Sequence, residues 1–206
     1  MNKTKILIAD DHSVVRIGLS ALLSSEPDFD VVGLVKNGKL AVAEAERLRP
    51  DIVIMDLMMP VMDGIEATAQ IKANCPESKV IILTTFSTSD GISKALKNGA
   101  SGAIFKSAAD TDLVKAIRQV SRGKTVIAAD IRRLLEDDPP VLDLSSRQSE
   151  ILASIGRGLS NTEIATQLGI TPTVVREHTL ALFQKLGAAN RAEAVAIALR
   201  KQLLKI

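Results

Sequence analysis

Apolar residues along the first 125 positions fall into two alternating patterns. Short, nearly uninterrupted runs at residues 5–9, 31–35, 52–55, 80–83 and 103–105 have the length of strands. Between them, apolar side chains recur every three or four residues. Val14, Val15, Gly18, Leu19, Leu22 and Leu23 are one such set, giving a helix with a single apolar face. Pro27, Pro50, Pro76 and the Asn98-Gly99 pair punctuate the elements. Strands that lack polar alternation and are separated by helices belong in a parallel sheet covered on both faces. The first part of the chain is therefore expected to be α/β.

The pattern changes at Thr125. Residues 130–135 read as one more helix, and Glu136-Asp137-Asp138-Pro139-Pro140 as a charged, proline-stiffened tether. Beyond Val141 only helical periodicity remains, with helices expected over 146–156, 160–168, 172–185 and 192–203. The expected organisation is an α/β domain over 1–125, a linker over 126–142 and an all-helical domain over 143–206.

Charge and composition narrow this only slightly. The chain has 26 basic and 24 acidic residues, a net of +2. Past Val141, eight basic residues face five acidic ones, a small excess that favours a polyanionic partner. No apolar run approaches the roughly 18 residues of a membrane span. The first residues pass straight into a strand-like run, too short for a signal peptide core. The single cysteine, Cys75, excludes an internal disulfide framework and fits the reducing cytoplasm. It reads as a surface or half-buried thiol without a role.

The chemistry lies at the strand ends. In a parallel α/β sheet, ligands bind at the carboxyl ends of the strands. Here the first strand ends in Asp10-Asp11, the third in Asp56, the fourth in Thr84-Thr85 and the fifth in Lys106. A single acidic residue at a strand end is ordinarily a helix cap. Three carboxylates at neighbouring strand ends form a hard oxygen site suited to Mg²⁺. With their repulsion neutralised, Asp56 can attack phosphorus and form an acyl phosphate. Lys106 and the Thr84 hydroxyl would then pair with phosphoryl oxygens.

Three blocks carry a resemblance: Ile-Ala-Asp10-Asp11-His, Asp56-Leu-Met-Met-Pro60-x-Met-Asp-Gly64 and Gly99-Ala-Ser-Gly-Ala-Ile-Phe-Lys106. Over about 120 residues they resemble the signature of response-regulator receiver domains. The resemblance implies a five-stranded flavodoxin-like fold, with Mg²⁺ held by Asp11, Asp56 and the backbone carbonyl of Met58, and with Asp10 reaching the ion through water. It also implies a regulator rather than an enzyme, phosphorylated by a partner histidine kinase. Receivers usually carry an aromatic residue three positions before the lysine, which swings inward on phosphorylation. Here that position is Ala103, and the chain has no Tyr or Trp. Either this part of the switch is absent, or Phe86 or Phe105 replaces it. Phe105 also reads as an ordinary buried strand residue. Met58 and Phe86 place apolar bulk at the pocket mouth, where they are expected to hinder water and prolong the phosphorylated state. A Phe86→Ala variant losing phosphate no faster than the parent would count against this.

In the C-terminal part, a serine caps the first helix, Gly156-Arg-Gly158 stops it, and Ser160 caps the next. Gly169 ends that second helix and Thr171-Pro172 opens a third. Two helices joined by a short turn containing Gly form a helix-turn-helix pattern. Gly158-Leu-Ser-Asn-Thr-Glu163-Ile-Ala165, Leu168-Gly-Ile170, Val175-Arg176-x-His178 and Lys185-Leu-Gly187 resemble the LuxR-type helix-turn-helix. With a receiver in front, the chain resembles the NarL/FixJ class of response regulators.

Helical spacing sends Val175, Thr179, Leu182, Phe183 and Leu186 to the core. Thr173, Arg176, Glu177, Leu180 and Gln184 face the other way, toward the major groove of double-stranded DNA. Arg176 suits a guanine edge, Glu177 a cytosine amine and Leu180 a thymine methyl. Thr173, Lys185 and the helix start at Ser160-Asn161 are candidate phosphate contacts. His178 matches a structural histidine of the family, and two histidines cannot build a zinc site. Val174, Leu180 and Ala181 stand where relatives carry more polar or basic groups, so binding is expected to be weak, strongly reliant on dimerisation, or confined to an unusual site. Residues 194–199, apolar on all sides, offer a face to a second copy.

A haloacid-dehalogenase-type phosphatase needs an acid two residues past its nucleophile, and Met58 cannot donate a proton. A nicotinamide dehydrogenase needs a Gly-rich turn where Asp10-Asp11-His12 stands. A receiver whose C-terminal domain binds protein instead of DNA is the remaining alternative. In the main reading, phosphorylation shifts an equilibrium in which the receiver covers the recognition helix or prevents dimerisation.

Overall fold

The computed structural model describes residues 3–85, 88–141, 144–201 and 203–204. The chain divides into two compact units, residues 1–138 and 139–206.

In the first unit, strands β1 (Thr4–Ala9), β2 (Phe29–Val35), β3 (Ile52–Met55), β4 (Lys79–Thr84), β5 (Gly102–Phe105) and β6 (Val126–Ile127) form one sheet. Their order among the described residues is β2-β1-β3-β4-β5-β6, with every pair parallel. Strand alternation sends Leu7, Ala9, Val53, Met55, Val80, Ile82 and Ala103 to one face. Helices α2 (Gly38–Leu48), α3 (Gly64–Asn74) and α4 (Ser89–Lys97) cover it. Ile6, Ile8, Ile52, Ile54, Ile81, Leu83 and Ile104 face the other way, against α1 (Ser13–Ser24) and α5 (Asp110–Ser121). Burial on both faces is why these strands carry no polar alternation. Cys75, expected near the surface, is buried in the first of these clusters.

Among the described residues the sheet has six strands, not five. Val126 and Ile127 pair with Gly102 and Ala103, and α6 (Ala129–Asp137) follows. The stretch expected as a linker is thus folded onto the first unit as far as Asp138. Two residues are too few to show strand periodicity, whereas the helix expected over 130–135 is present and runs on into the acidic stretch as far as Asp137. Gly102 permits the extra strand, since a Cβ there would lie 2.9 Å from the Val126 carbonyl oxygen.

The second unit is helical: α7 (Ser146–Gly156), α8 (Asn161–Leu168), α9 (Pro172–Leu186) and α10 (Arg191–Arg200). Ser145 with Gln148, and Ser160 with Glu163, form capping boxes at the starts of α7 and α8. Thr171 caps α9 with Pro172 at its first turn, and Gly169 and Gly187 close α8 and α9 in left-handed conformations. Ile151, Leu152, Ile155, Ile164, Val175, Leu182 and Leu186 form the core of the unit. Among the described residues, no helix is long and apolar enough to cross a membrane.

Candidate functional site

The strand order reverses direction at β1, which lies between β2 and β3. A reversal of this kind opens a crevice at the carboxyl ends of the strands. Asp10 and Asp11 follow β1, Asp56 follows β3, Thr84 ends β4 and Lys106 follows β5, all on that edge. Register keeps them level: Ala9 pairs with Met55, Met55 with Ile82, and Thr84 with Phe105.

Asp10 and Asp56 are only 2% and 3% exposed. Lys106 Nζ reaches Asp10 Oδ2 at 2.6 Å and Asp56 Oδ2 at 3.0 Å. Asp10 Oδ1 accepts from the His12 backbone N–H at 2.9 Å. Burial pushes the Asp56 carboxyl above the ordinary carboxylate range, Lys106 opposes the rise and Asp10 adds to it. Burial also works against the Lys106 charge, but its hydrogen bonds to Asp10 and Asp56 outweigh this and raise its pKa. Asp11 is more open, with Oδ1 2.7 Å from His12 Nδ1.

Asp10, Asp11, His12 and Asp56 each offer one ligand atom, all within 4.8 Å of one another. Three carboxylates share the pocket with one lysine, so the donor set suits a hard divalent cation. His12 is the member that strand-end reasoning missed. Its proximity arises because the chain turns into α1 at Ser13, folding the imidazole back over Asp11.

The loop after Asp56 is tightly built. Gly64 N–H donates to the Leu57 carbonyl at 3.0 Å, Gly38 N–H to the Met62 carbonyl at 3.0 Å, and Asp63 caps α3. A Cβ at Gly64 would lie 2.1 Å from the Asp56 carbonyl oxygen, so only glycine allows this approach. Val61 in the same loop has φ 73, a left-handed conformation that is strained for a β-branched residue. Met58, expected at the pocket mouth, is exposed. Thr84 is buried. Ala103 is fully buried on the face covered by α4, and Phe105 packs half-buried against the same cluster. Phe86 lies outside the described residues.

In the second unit, Val175, Thr179, Leu182 and Leu186 of α9 are buried, and Phe183 packs beside them. Thr173, Arg176, Glu177, Leu180 and Gln184 are exposed together on the opposite face. Ser160 is exposed, but its hydroxyl donates to the Glu163 carboxylate at 2.7 Å. The start of α8 therefore carries its own anion. Asn161 is half-buried. Lys185, a candidate phosphate contact, instead donates from Nζ to Gln148 Oε1 at 2.9 Å, tying α9 to the capping box of α7. Thirty-seven residues separate the pair, so helical periodicity gave no sign of it.

Comparison with known proteins bears on both units. Residues 6–118 match the response regulator receiver domain, and residues 142–198 match the bacterial regulatory proteins of the luxR family. The chain belongs to the response regulators. Response regulator protein VraR of Staphylococcus aureus is 38% identical to this regulator over 206 residues, covering 98% of this chain and 99% of VraR. RcsB of Salmonella enterica serovar Typhimurium, solved bound to a promoter in the presence of phosphomimetic BeF3−, matches the regulator with a TM-score of 0.71 and 29% identity, over 95% of this chain and 98% of RcsB. A structure of two RcsB dimers bound to two parallel DNAs matches with a TM-score of 0.70 and 29% identity, over 97% and 99% of the two chains. The regulator thus joins a receiver with an acidic pocket to a LuxR-type DNA-binding domain, the composition of a two-component regulator of transcription.

Proposed function

We propose that Asp56 is the phosphoacceptor of this regulator, that a sensor histidine kinase supplies the phosphoryl group in the cytoplasm, and that phosphorylation controls binding of a homodimer to specific double-stranded DNA. The supporting observation is the Lys106 ammonium placed between the Asp10 and Asp56 carboxylates at the sheet's point of reversal. Mg²⁺ would be held by Asp11, Asp56 and the Met58 carbonyl, with Asp10 reaching it through water. When bound, it neutralises carboxylate charge and draws electron density from the phosphoryl group. An Asp56 carboxylate oxygen attacks phosphorus, the new O–P bond forms as the P–N bond to the kinase imidazole breaks, and that imidazole takes up a proton. Lys106 then moves its hydrogen bonds from Asp56 to a phosphoryl oxygen, and the Thr84 hydroxyl bonds another. Each Asp56 accepts one group, so the chain acts as a switch, not a turnover enzyme.

The DNA-reading residues in this proposal are Arg176, Glu177 and Leu180, with Thr173, Ser160 and Asn161 toward phosphates. Lys185 would contribute less, since it is already tied to Gln148. Dimerisation is supported by the exposed Leu199 on α10 beside half-buried Val195, both lining an open apolar recess of about 540 Å³, and by RcsB's occurrence as dimers on DNA. The test is intact mass after incubation with acetyl phosphate and Mg²⁺. The parent should gain one phosphoryl group, Asp56→Asn none, and the phosphorylated parent should bind genomic DNA fragments more tightly. An Asp56→Asn variant that still gains the group would overturn the assignment.

A further inference from the structure

The position from which an aromatic ring would move is Ala103, whose methyl group has no ring to swing. Among the elements packed on the same face as Ala103 is α6. Ala128 N–H donates to the Ala103 carbonyl at 3.0 Å, so α6 begins directly from the edge of β5. Ile131 is fully buried in the cluster that holds Ala103 and the α4 residues Ile92 and Ala95, and Leu134 and Leu135 pack against it. Arg132, Arg133 and Glu136 point outward.

At its far end α6 is latched to α4. The hydroxyl of Ser89, itself fully buried, donates to Asp138 Oδ2 at 2.9 Å. Ser89 is the first residue of α4, five positions past Thr84, and Ala103 lies three positions before Lys106. Both supports of α6 are therefore short continuations of the residues placed to hold the phosphoryl group. A nine-residue helix has little stability of its own. It persists through docking, and a small displacement of its support is enough to release it. Asp138 is also the last residue of the first unit; the next, Pro139, belongs to the second, where its carbonyl accepts from Lys201 Nζ at 2.9 Å.

We propose that α6 is the moving part of this regulator, docked on α4 and β5 through Ile131 and the Ser89–Asp138 hydrogen bond, and loosened when Asp56 carries a phosphoryl group. This rests on the reading of Asp56 as the phosphoacceptor. As Thr84 turns to the phosphoryl oxygen, the chain leading into α4 is drawn along and Ser89 parts from Asp138. The constraint on the segment entering the DNA-binding unit changes with it.

Amide hydrogen exchange on the full chain in Mg²⁺, with and without acetyl phosphate, tests this, with intact mass read on the same samples. Amides of residues 131–138 should exchange at least tenfold faster once the mass shows a phosphorylated chain, while those of α2 stay unchanged. Asp56→Asn should show no acceleration. Ser89→Ala should accelerate the same amides without phosphate and still take up the phosphoryl group. Asp138→Ala, at the end of the helix where the unit's fold is not at risk, should do the same. A phosphorylated chain whose α6 exchanges at the parent rate overturns the proposal, as do both variants retaining parental protection. No phosphoryl uptake by the parent overturns the reading of Asp56 itself, and this proposal with it.

Discussion

Lys106 Nζ lies 3.0 Å from Asp56 Oδ2, a buried ion pair between the residue proposed to accept the phosphoryl group and the one proposed to hold it. The same ammonium lies 2.6 Å from Asp10. Without it, two buried carboxylates would face each other uncompensated. Breaking a buried pair from one side costs about 3–5 kcal/mol. Lys106→Met is expected to lower unfolding stability by that order in metal-free buffer, with Mg²⁺ restoring part of it. Urea unfolding with EDTA and with Mg²⁺ measures both; a variant as stable as the parent without metal would sink the argument.

Gly64 supports Asp56 through the backbone. With a Cβ 2.1 Å from the Asp56 carbonyl oxygen, Gly64→Ala must displace the loop or the end of β3. Overpacking of this kind costs about 1–3 kcal/mol. The expected result is a lower unfolding midpoint together with slower uptake of the phosphoryl group from acetyl phosphate. Gly18→Ala, where a Cβ meets nothing within 4 Å in the middle of α1, is the control: it should leave phosphoryl uptake unchanged and raise the midpoint slightly.

The two halves of the proposed DNA face make opposite predictions. Arg176→Ala should weaken binding to a specific site by about 1–3 kcal/mol and relax base preference there. Lys185→Ala should change the salt dependence of binding only slightly, because the hydrogen bond to Gln148 holds its still-charged ammonium at the start of α7. Binding isotherms at several salt concentrations distinguish them. A markedly shallower slope for Lys185→Ala would return that residue to the phosphate contacts.

The capping box of α8 predicts an acid response. Hydrogen bonds from the Ser160 side chain, and then from its backbone, hold the Glu163 carboxyl below its ordinary value. A folded pKa below the unfolded one stabilises fully above the unfolded value of 4.5 and is lost as pH falls through the folded value. Glu163→Gln keeps a capping side chain without a titrating group. Melting profiles of the two proteins should therefore converge on acidification below about pH 4.5. Parallel profiles would show that the cap is not linked to this proton.

The strands and the strand-end residues were readable because burial on two faces leaves each strand as an uninterrupted apolar run. Asp10, Asp56, Thr84 and Lys106 stood out as the polar residues that end those runs. Faces of α9 were readable for the same reason, from spacing alone. What escaped depends on contacts distant in sequence or on elements too short to have a period. Val126-Ile127 is strand only because Gly102 lets it approach. Glu136 to Pro140 looks like a tether, although its first part docks through Ile131 upstream. The Lys185–Gln148 and Ser89–Asp138 bonds join residues 37 and 49 positions apart.

The short sixth strand also decides where the chain can be cut. A fragment ending at residue 125 would bare the hydrogen-bonding edge of β5 and uncover Ala103, Ile92 and Ala95, leaving an open template for another sheet. One ending after Asp138 keeps that border sealed by two residues and a single helix. Such a fragment should remain dispersed in solution where the shorter one self-associates.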